Sequence, residues 1–586
     1  MPQPFATYFT FAEFNSGKPS SLEQFQNALS GYHRDSVVAL CSAVNCLLKT
    51  WEGGRVDSKA HDLLARTAFS ADLAYRMSRA RENVRDPRVV FHRQQLLFVA
   101  KAAALYCQNA GINPLAKVNW GGFGAVLLMA NDQLPFLFPP AEARDEQLVN
   151  TLAEFVPVLE LSGPSSIKNK TARAHTLSAI AAELTAHQDF VDIAGIFGRL
   201  AGMNVLEFRA LCFASMTKYM QLDLEQFQQN PGSFFLARTW FDKAALDPAK
   251  VNRFLVDVSA HGESLKQRFE QRNAGKSDFT PIRDKPIYVS NDKLFPIDAA
   301  FLGEKLETGI FWTVHNSLSG AEKQRLHRFW GYVFQIYMDR LLSSTVDGNK
   351  NIYVPSPRYV SDGQEVCDGL ILCGSSVVLL EYKGATFTAE SKYSGDSALL
   401  AQAIDEKLVA QKGVRQLANA VQRLFTRDAA DQIVGANISN IRSVFPVLVT
   451  RDGIGGALVI NLLLNRKFEV MFNRRLCRPR IVTPLFCMDA ETAEIISAYL
   501  REARLDDILD ARYRNDPRMM SSFQQVPNPV LESIGRRQSE YVNYSFDQFV
   551  NSGLTLLFPG EHFETEHSRT SEEAHDPARA ENGPGT

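Results

Sequence analysis

The sequence lacks paired cysteine motifs and long apolar runs. Its eight cysteines are scattered over 586 residues without a C-x-x-C spacing, which excludes a zinc ribbon and a thioredoxin-type site. Such cysteines are typical of buried free thiols in a reducing compartment. The first residues show no basic stretch followed by an apolar one, so no signal peptide is expected. The apolar run at residues 123–130 is far shorter than the ~20 residues that span a bilayer. We expect a cytoplasmic protein without a membrane partner.

The sequence also lacks an excess of charge of either sign. Lys and Arg number 63 against 65 Asp and Glu, a net charge of -2, so a surface that is basic everywhere is excluded. A local basic patch is still allowed. Hydrophobic residues make up 45% and charged residues 22%, which excludes a globally disordered or collagen-like chain. At roughly 100–200 residues per domain, a chain of this length forms several domains.

Several common catalytic motifs are missing as well. No G-x-S-x-G or H-E-x-x-H sequence occurs, and the eleven histidines show no metal-ligand spacing. The glycine-rich segment at residues 451–456 follows a strand-like run, but it has neither the Rossmann glycine spacing nor a P-loop lysine. We predict that this segment is a loop between a strand and a helix.

The residue patterns that are present divide the chain into four regions. Residues 1–275 have helical periodicity and are predicted to form an all-α N-terminal domain. Residues 276–318 are predicted to hold a linker, a hairpin and a helix, with the polar stretch 273–284 as the linker. Residues 319–555 alternate between strand-like and helix-like runs, which predicts an α/β domain. Residues 556–586 are rich in Glu, Ser and Pro and are predicted to be a disordered acidic tail.

Local signals predict where three helices begin. Pro87 and Pro248 each follow an aspartate, and this pair is typical of an N-cap followed by the first helical residue. Ser319 stands three residues before Glu322, which predicts a capping box.

One segment of the α/β region carries residues suited to catalysis. The apolar runs VCDGLILC and VVLLEYK flank a Gly-Ser-Ser turn, so they are predicted to pair as a hairpin. Such pairing brings Asp368 to the end of the second strand. Glu381 and Lys383 are two residues apart and therefore project from the same face of that strand. The sequence thus predicts that two carboxylates and one ammonium group meet at the open end of a hairpin.

This set of groups suits the hydrolysis of phosphodiester bonds. Two close carboxylates repel each other, and a hard divalent cation with oxygen ligands relieves that repulsion. The cation lowers the pKa of a bound water and polarises a phosphoryl oxygen, while a lysine can orient that water. The alternative is a solvated strand end with an incidental ion pair.

The same residues resemble a known family. Asp368-Gly369, Glu381-x-Lys383 and the following helix with Gln416 resemble the PD-(D/E)XK nuclease superfamily over residues 320–500. The resemblance implies a restriction-endonuclease-like core, in which a mixed sheet is flanked by helices. It implies that Asp368, Glu381 and the carbonyl of Tyr382 bind Mg²⁺ or Mn²⁺. It also implies that Lys383 positions the attacking water and that Gln416 lies near the site.

Two positions depart from the family pattern. Val366-Cys367 stands where a proline often precedes the aspartate. Gln335 stands on the upstream helix where many members carry a glutamate that extends the metal shell. Three explanations are open: the second metal position is weak, Glu365 or another acid compensates, or the activity is low.

A basic segment favours a polyanionic partner. Its candidate nucleic-acid-binding residues are Arg466, Lys467, Arg474, Arg475 and Arg478. One guanidinium group can donate two hydrogen bonds to the same phosphate group, so arginines suit contacts with a DNA backbone. The alternative is that these residues form a solvated helix face and turn.

Together these features predict a metal-dependent nuclease that acts on DNA, with RNA as the alternative substrate. By analogy with the family, a large helical region beside a nuclease core suits bacterial defence against foreign DNA. The N-terminal helices would then bind a protein partner or a second copy of the chain. The competing hypothesis is an inactive nuclease-fold module that holds nucleic acid or a protein.

Overall fold

The computed structural model describes residues 7–50, 58–81, 88–107, 119–134, 143–162, 166–272, 275–346, 348–410, 413–426, 431–472 and 481–559. These residues form a mixed α/β fold with a helical N-terminal region, as expected from the sequence. None of the helices in these ranges is long and apolar enough to cross a membrane. The cysteines of the described ranges are free and buried, which confirms that expectation for them.

The N-terminal region is built from fourteen helices in the described ranges. They are α1 (Leu22–Ser30), α2 (Arg34–Leu48), α3 (Ser58–Ala68), α4 (Ala71–Arg81), α5 (Arg93–Tyr106), α6 (Trp120–Asp132), α7 (Asp145–Ser162), α8 (Ile167–Glu183), α9 (Ile193–Ala201), α10 (Val205–Met220), α11 (Leu224–Gln229), α12 (Pro248–Val258), α13 (Gly262–Arg272) and α14 (Thr280–Asp284). The predicted start at Pro248 is confirmed, and the Asp247 side chain accepts a hydrogen bond from the backbone N–H of Ala249 at 2.8 Å.

The predicted helix start after Pro87 is wrong. The residues before position 88 in this stretch, Asp86 and Pro87 included, lie outside the described residues. The next residues form strand β2 (Arg88–Val89), which pairs in parallel with β1 (Thr7–Tyr8). The helix begins only at Arg93, because pairing with a distant strand takes precedence over the local signal.

A small sheet joins the helical region to the rest of the chain. It contains β3 (Leu236–Ala237), β4 (Ser259–His261), β5 (Ile287–Ser290) and β6 (Lys293–Pro296) in the order β3-β6-β5-β4. Strands β5 and β6 form the predicted hairpin. The predicted linker before it is wrong for residues 275–284, because Asp278, Phe279 and Ile282 are buried. Two large apolar side chains at this point favour packing over an exposed linker.

The α/β region follows in chain order. It comprises α15 (Ala299–Ser317), α16 (Gly320–Thr345), β7 (Ile352–Pro355), β8 (Gly369–Cys373), β9 (Ser376–Lys383), α17 (Ala389–Tyr393), α18 (Ser397–Ile404), α19 (Val414–Phe425), β10 (Ser443–Thr450), α20 (Ile460–Met471), β11 (Ile481–Val482), β12 (Phe486–Asp489), α21 (Ala490–Ser497), α22 (Leu505–Asn515), α23 (Pro529–Ile534) and α24 (Glu540–Leu557). The capping box from Ser319 to Glu322 opens α16 as predicted.

Shorter turns connect these elements. The 3₁₀ turns are Ala12–Phe14, Pro231–Phe234, Arg238–Lys243, Gly453–Gly456 and Phe523–Gln525, and a π-helical turn covers Asp405–Ala410. The turn at Gly453–Gly456 lies between β10 and α20, so the predicted loop between a strand and a helix is confirmed.

The main sheet has six strands in the described ranges. Strands β7, β8 and β9 are antiparallel neighbours, whereas β10 runs parallel to β9. Strands β11 and β12 both pair in parallel with the far side of β10. The parallel strands β9, β10 and β12 therefore end at the same edge of the sheet, next to the open end of the β8–β9 hairpin.

Two hydrophobic clusters cover the two faces of this sheet. The larger cluster contains α16 and runs without interruption into the N-terminal helices. The smaller cluster contains α19 and α20, and it includes Leu148, Leu152 and Val156 of α7. The division of the chain at residue 275 stays a prediction, since apolar packing crosses that position. Helix α24 extends to Leu557, which corrects the predicted tail start at 556, and residues 560–586 of that tail lie outside the described residues.

Candidate metal and nucleic-acid site

The β8–β9 hairpin sets the position of Asp368. Gly374 makes its turn with a φ of +61°, a conformation that glycine adopts without strain. The register pairs Gly369 with Leu380, so Asp368 stands opposite Glu381 where the ladder ends. The half-buried Asp368 carboxylate accepts a hydrogen bond at Oδ2 from the backbone N–H of Tyr382, at 2.7 Å. The hairpin thus brings the predicted aspartate and the predicted strand end together.

Glu381 and Lys383 contact each other on one face of β9. The distance from Nζ of Lys383 to Oε1 of Glu381 is 2.5 Å. Glu381 is 1% exposed and Lys383 is 9% exposed. Both charged groups are thus buried, as the apolar run before Glu381 indicates. The alternative of a solvated strand end does not agree with this burial. Asp368, Glu381 and Lys383 are therefore all held at one end of the hairpin.

Helix α16 adds an acid that sequence reasoning missed. Asp339 lies one helical turn after Gln335, and its Oδ1 accepts a hydrogen bond from the hydroxyl of Tyr353. The Tyr353 hydroxyl also lies 3.1 Å from the hydroxyl of Tyr382. The pKa of Asp339 is raised to about 6, mainly by burial and also by the nearby charges of Asp368 and Glu365, although the Tyr353 hydrogen bond lowers it. Residues four apart share a helix face, so the spacing from Gln335 was the available signal.

Gln335 itself is linked to the backbone of the site. Its Nε2 donates a hydrogen bond to Oγ of Ser356 at 3.2 Å. The backbone N–H of Ser356 in turn donates to the carbonyl oxygen of Asp368 at 2.9 Å. The upstream helix therefore reaches the site with a neutral residue at Gln335 and with an acid at Asp339. Among the three explanations for Gln335, this arrangement favours compensation by another acid.

Negative charge is concentrated around the hairpin end. Burial raises the pKa of the Cys367 thiol well above its usual value, and the charges of Glu381 and Asp368 raise it further. Within the part of the chain that the structure describes, no group of three or more His, Cys, Asp or Glu side chains is arranged to hold a metal ion. Two carboxylates and a backbone carbonyl are nevertheless the oxygen ligands that Mg²⁺ or Mn²⁺ takes together with waters. The donor chemistry fits such an ion.

Two glycines bring helices close to the end of β9. A Cβ atom added at Gly384 would lie 2.7 Å from Cα of Gly331 in α16. Gly413, the N-cap of α19, has a φ of +101°, and a Cβ there would lie 3.1 Å from Cε of Lys383. Gln416 is half-buried in the first turn of α19. The predicted lysine and the helix that carries the predicted glutamine are thus neighbours.

The predicted basic residues divide into two groups. Nη1 of Arg466 donates to the carbonyl oxygen of Ala143 at 2.6 Å and lies 3.1 Å from Oδ1 of Asp145. Lys467 forms a salt bridge of 2.8 Å with Asp405. Both residues therefore connect α20 to neighbouring elements of the same chain. The other three, Arg474, Arg475 and Arg478, lie outside the described residues.

Comparisons with known proteins do not assign a function to this site. No family model, no curated protein and no solved structure matches this chain significantly. The residues at the end of the β8–β9 hairpin and their contacts are therefore the basis for assigning a function.

Proposed function

We propose that this chain is a Mg²⁺-dependent nuclease that hydrolyses phosphodiester bonds of DNA. The observation that carries the proposal is the meeting of Asp368, Glu381 and Lys383 at one end of the β8–β9 hairpin. Two carboxylates that can share a divalent metal ion, with an ammonium group beside them, suit metal-assisted hydrolysis.

The order of the elements around the hairpin supports a restriction-endonuclease-like core. Helix α16 is followed by the antiparallel strands β7, β8 and β9, then by α19 and the parallel strand β10. The resemblance implies a mixed sheet flanked by helices, with one helix before the hairpin and one after it, and α16 and α19 occupy these positions. It places the acids at the edge where β9 and its neighbours end.

Each residue of the site has a distinct role in the proposal. Asp368, Glu381 and the carbonyl of Tyr382 would hold the ion, which when bound lowers the pKa of a coordinated water and polarises a phosphoryl oxygen. Lys383 would turn from Glu381 to hold the attacking water and to offset negative charge on the phosphate. Gln416 would complete the polar lining of the site.

Asp339 has a supporting role in this proposal. Its carboxylate adds a third negative charge close to Asp368 on the α16 side of the sheet. A third carboxylate strengthens the attraction for a divalent cation without itself being a ligand. We therefore include Asp339 as a positioning residue and not as a catalytic one.

One observation favours a second candidate function. Glu381 and Lys383 are almost fully buried and bonded to each other, which is also how an ion pair with a purely structural role is arranged. In that case the chain would be a non-catalytic module that binds nucleic acid or a protein through another surface. The two functions differ in whether divalent cations are needed.

The test is degradation of a supercoiled plasmid and of a linear duplex in Mg²⁺, in Mn²⁺ and in EDTA. We expect cleavage with either metal, none in EDTA, and none by Lys383→Met, which keeps the length and apolar stem of the side chain. Lys392→Met is the matched control, because Lys392 stands in a second Glu-x-Lys sequence that pairs with Asp452. Equal cleavage by both variants would contradict the proposed site.

A further inference from the structure

A cavity of about 520 Å³ lies between the helical region and the ends of the parallel strands. Arg173 of α8 and Glu307 of α15 line one side, and Thr386 and Arg451, which follow β9 and β10, line the other. Glu381 and Lys383 are not among the described residues that line it. Its volume lies within the range of about 300–1,000 Å³ typical of small-molecule sites. Ligands of α/β sheets bind at the carboxyl ends of parallel strands, which is where this cavity opens.

Arg451 places a buried positive charge against this cavity. The residue is 9% exposed, and its guanidinium carbon lies 5.0 Å from the ring centre of Phe311 and 5.4 Å from that of Trp330. Its backbone N–H donates to the carbonyl oxygen of Lys383 at 2.8 Å, which fixes the main chain. Among the described residues, the buried Nη2 has no hydrogen-bond partner. Aromatic rings therefore contact the guanidinium, and among the described residues it forms no salt bridge within 4 Å.

The two acids whose charges act on Arg451, Glu307 and Asp452, each form a salt bridge with another basic residue. Oδ1 of Asp452 accepts a hydrogen bond from Lys392 at 2.8 Å. Oε1 of Glu307 accepts a hydrogen bond from Arg173, also at 2.8 Å. Burial lowers the pKa of Arg451 to about 10, although the charges of Glu307 and Asp452 oppose that shift. A buried guanidinium without an ion pair of its own favours the binding of an anion.

Other groups of the cavity suit a phosphate-bearing ligand. Thr280 and Thr386 line the cavity, and within the described ranges their buried hydroxyls have no hydrogen-bond partner. The ring of Trp312 lines it as well and offers a surface on which a planar base can stack, whereas the guanidinium of Arg283 lies over the ring of Tyr393 at 4.6 Å. Burial raises the pKa of Glu491 to about 8, so this lining carboxyl is mostly protonated near pH 7. Among its described lining residues the cavity thus has seven basic side chains against six acidic ones, and Arg451 is a basic side chain without a salt bridge.

We propose that this cavity binds a small phosphorylated molecule of nucleotide size, with Arg451 as the residue that receives a phosphate group. The hydroxyls of Thr280 and Thr386 would donate to phosphate oxygens. The ligand would contact both the N-terminal helices and the ends of the sheet strands. This site is separate from the proposed metal site.

The first test measures ligand binding to the full chain in EDTA, which removes any contribution of divalent cations. The probes are ATP and inorganic pyrophosphate, with adenosine and citrate as controls for the base and for a carboxylate anion. We expect ATP or pyrophosphate to raise Tm and to give a binding isotherm in calorimetry, and adenosine and citrate to do neither. Absence of binding by both phosphate probes at millimolar concentration would overturn the proposal, as would binding of citrate alone.

The second test assigns that binding to the cavity. The double variant Thr280→Val and Thr386→Val removes two buried hydroxyls while keeping their shape, so we expect folding to be preserved. The double threonine variant and, separately, Arg451→Gln should each weaken phosphate-probe binding about tenfold or more. Thr171→Val is the matched control, since the Thr171 hydroxyl is also buried but Thr171 is not among the described lining residues. Unchanged affinity in the double threonine variant would contradict the proposal even if Arg451→Gln does not fold.

Discussion

The ion pair between Glu381 and Lys383 can be tested separately for stability and for catalysis. Removing one charge of a buried pair leaves the other in an apolar environment, so we expect Lys383→Met to lower the free energy of unfolding by about 3–5 kcal/mol. Adding Glu381→Gln removes the second charge and should recover most of that loss. Urea unfolding of the wild type, Lys383→Met, Glu381→Gln and the double variant measures this, and cleavage should be absent in all three variants. A double variant that is as unstable as Lys383→Met would show that the pair is not the source of the effect.

Asp339 gives the protein a pH dependence with a defined sign. Its pKa is about 6 in the folded chain against 3.8 in an unperturbed aspartate, with burial as the main cause. The folded state therefore holds this proton more tightly than the unfolded state does. The stabilisation that comes from this tighter proton binding by Asp339 is complete below about pH 4 and is lost as the pH rises through 6.

The variant Asp339→Asn cannot titrate at this position but can still accept the Tyr353 hydrogen bond. We expect the wild type to lose stability relative to Asp339→Asn between pH 4 and 6, and the difference to stay constant above that window. Urea unfolding at several pH values in EDTA measures it. Gln335→Ala is the control and should run parallel to the wild type. Parallel curves for Asp339→Asn would contradict the assigned pKa.

Periodicity explains what could be predicted at the scale of single residues. Glu381 and Lys383 lie on one face because side chains alternate along a strand, and the turn at Gly374 brings Asp368 opposite them. Asp339 could not be found in this way, because its proximity to Asp368 depends on how α16 crosses the sheet. The spacing of four residues from Gln335 places Asp339 on the same helix face, but it does not identify the strand that this face meets.

The N-terminus of α19 depends on glycine at position 413. Its φ of +101° is strained for any other residue, and an added Cβ would collide with the carbonyl oxygen of Leu408. We expect Gly413→Ala to destabilise the fold by about 2 kcal/mol or more and to lower cleavage, because α19 must shift away from Lys383. Gly435→Ala is the control: its φ is +73°, but nothing lies within 4 Å of an added Cβ. Equal cleavage by the two variants would contradict a role for α19 in placing Lys383.

Local chemistry predicted some elements and failed for others. The capping box at Ser319 and the proline at 248 marked true helix starts because the caps satisfy free backbone N–H groups within a few residues. The start after Pro87 failed because Arg88 pairs with Thr7, far away in the chain. The linker failed because Phe279 and Ile282 are buried by helices that a local window does not contain.

At the scale of the whole molecule, we expect the arginines that follow α20 to contact DNA phosphates and to make DNA binding depend on the salt concentration. Each phosphate contact by Lys or Arg contributes about 0.9 to the slope of log K against log salt concentration. We expect the triple variant Arg474→Ala, Arg475→Ala and Arg478→Ala to reduce the slope by about 2 to 3. Arg466→Ala should change it little, because Arg466 is bonded to Ala143 and Asp145. Fluorescence anisotropy with a labelled duplex measures both, and the reverse order would contradict this division of roles.

The domain organisation was the least predictable feature at this scale. Helical periodicity and strand alternation indicated an N-terminal helical region and an α/β region, and both are present. They did not reveal that Leu148 and Leu152 of α7 pack beneath the sheet of the later region. Apolar stripes show that a helix has a buried face, but they do not identify its partner.

The most direct test of the proposed nuclease is metal binding at the end of the β8–β9 hairpin. Calorimetric titration of the full chain with Mn²⁺ should detect a bound ion. Asp368→Asn and Glu381→Gln should each abolish its binding or weaken it by about tenfold or more, whereas Gln335→Ala should bind as the wild type does. Wild-type Mn²⁺ affinity in both carboxylate variants would contradict a shared cation at Asp368 and Glu381.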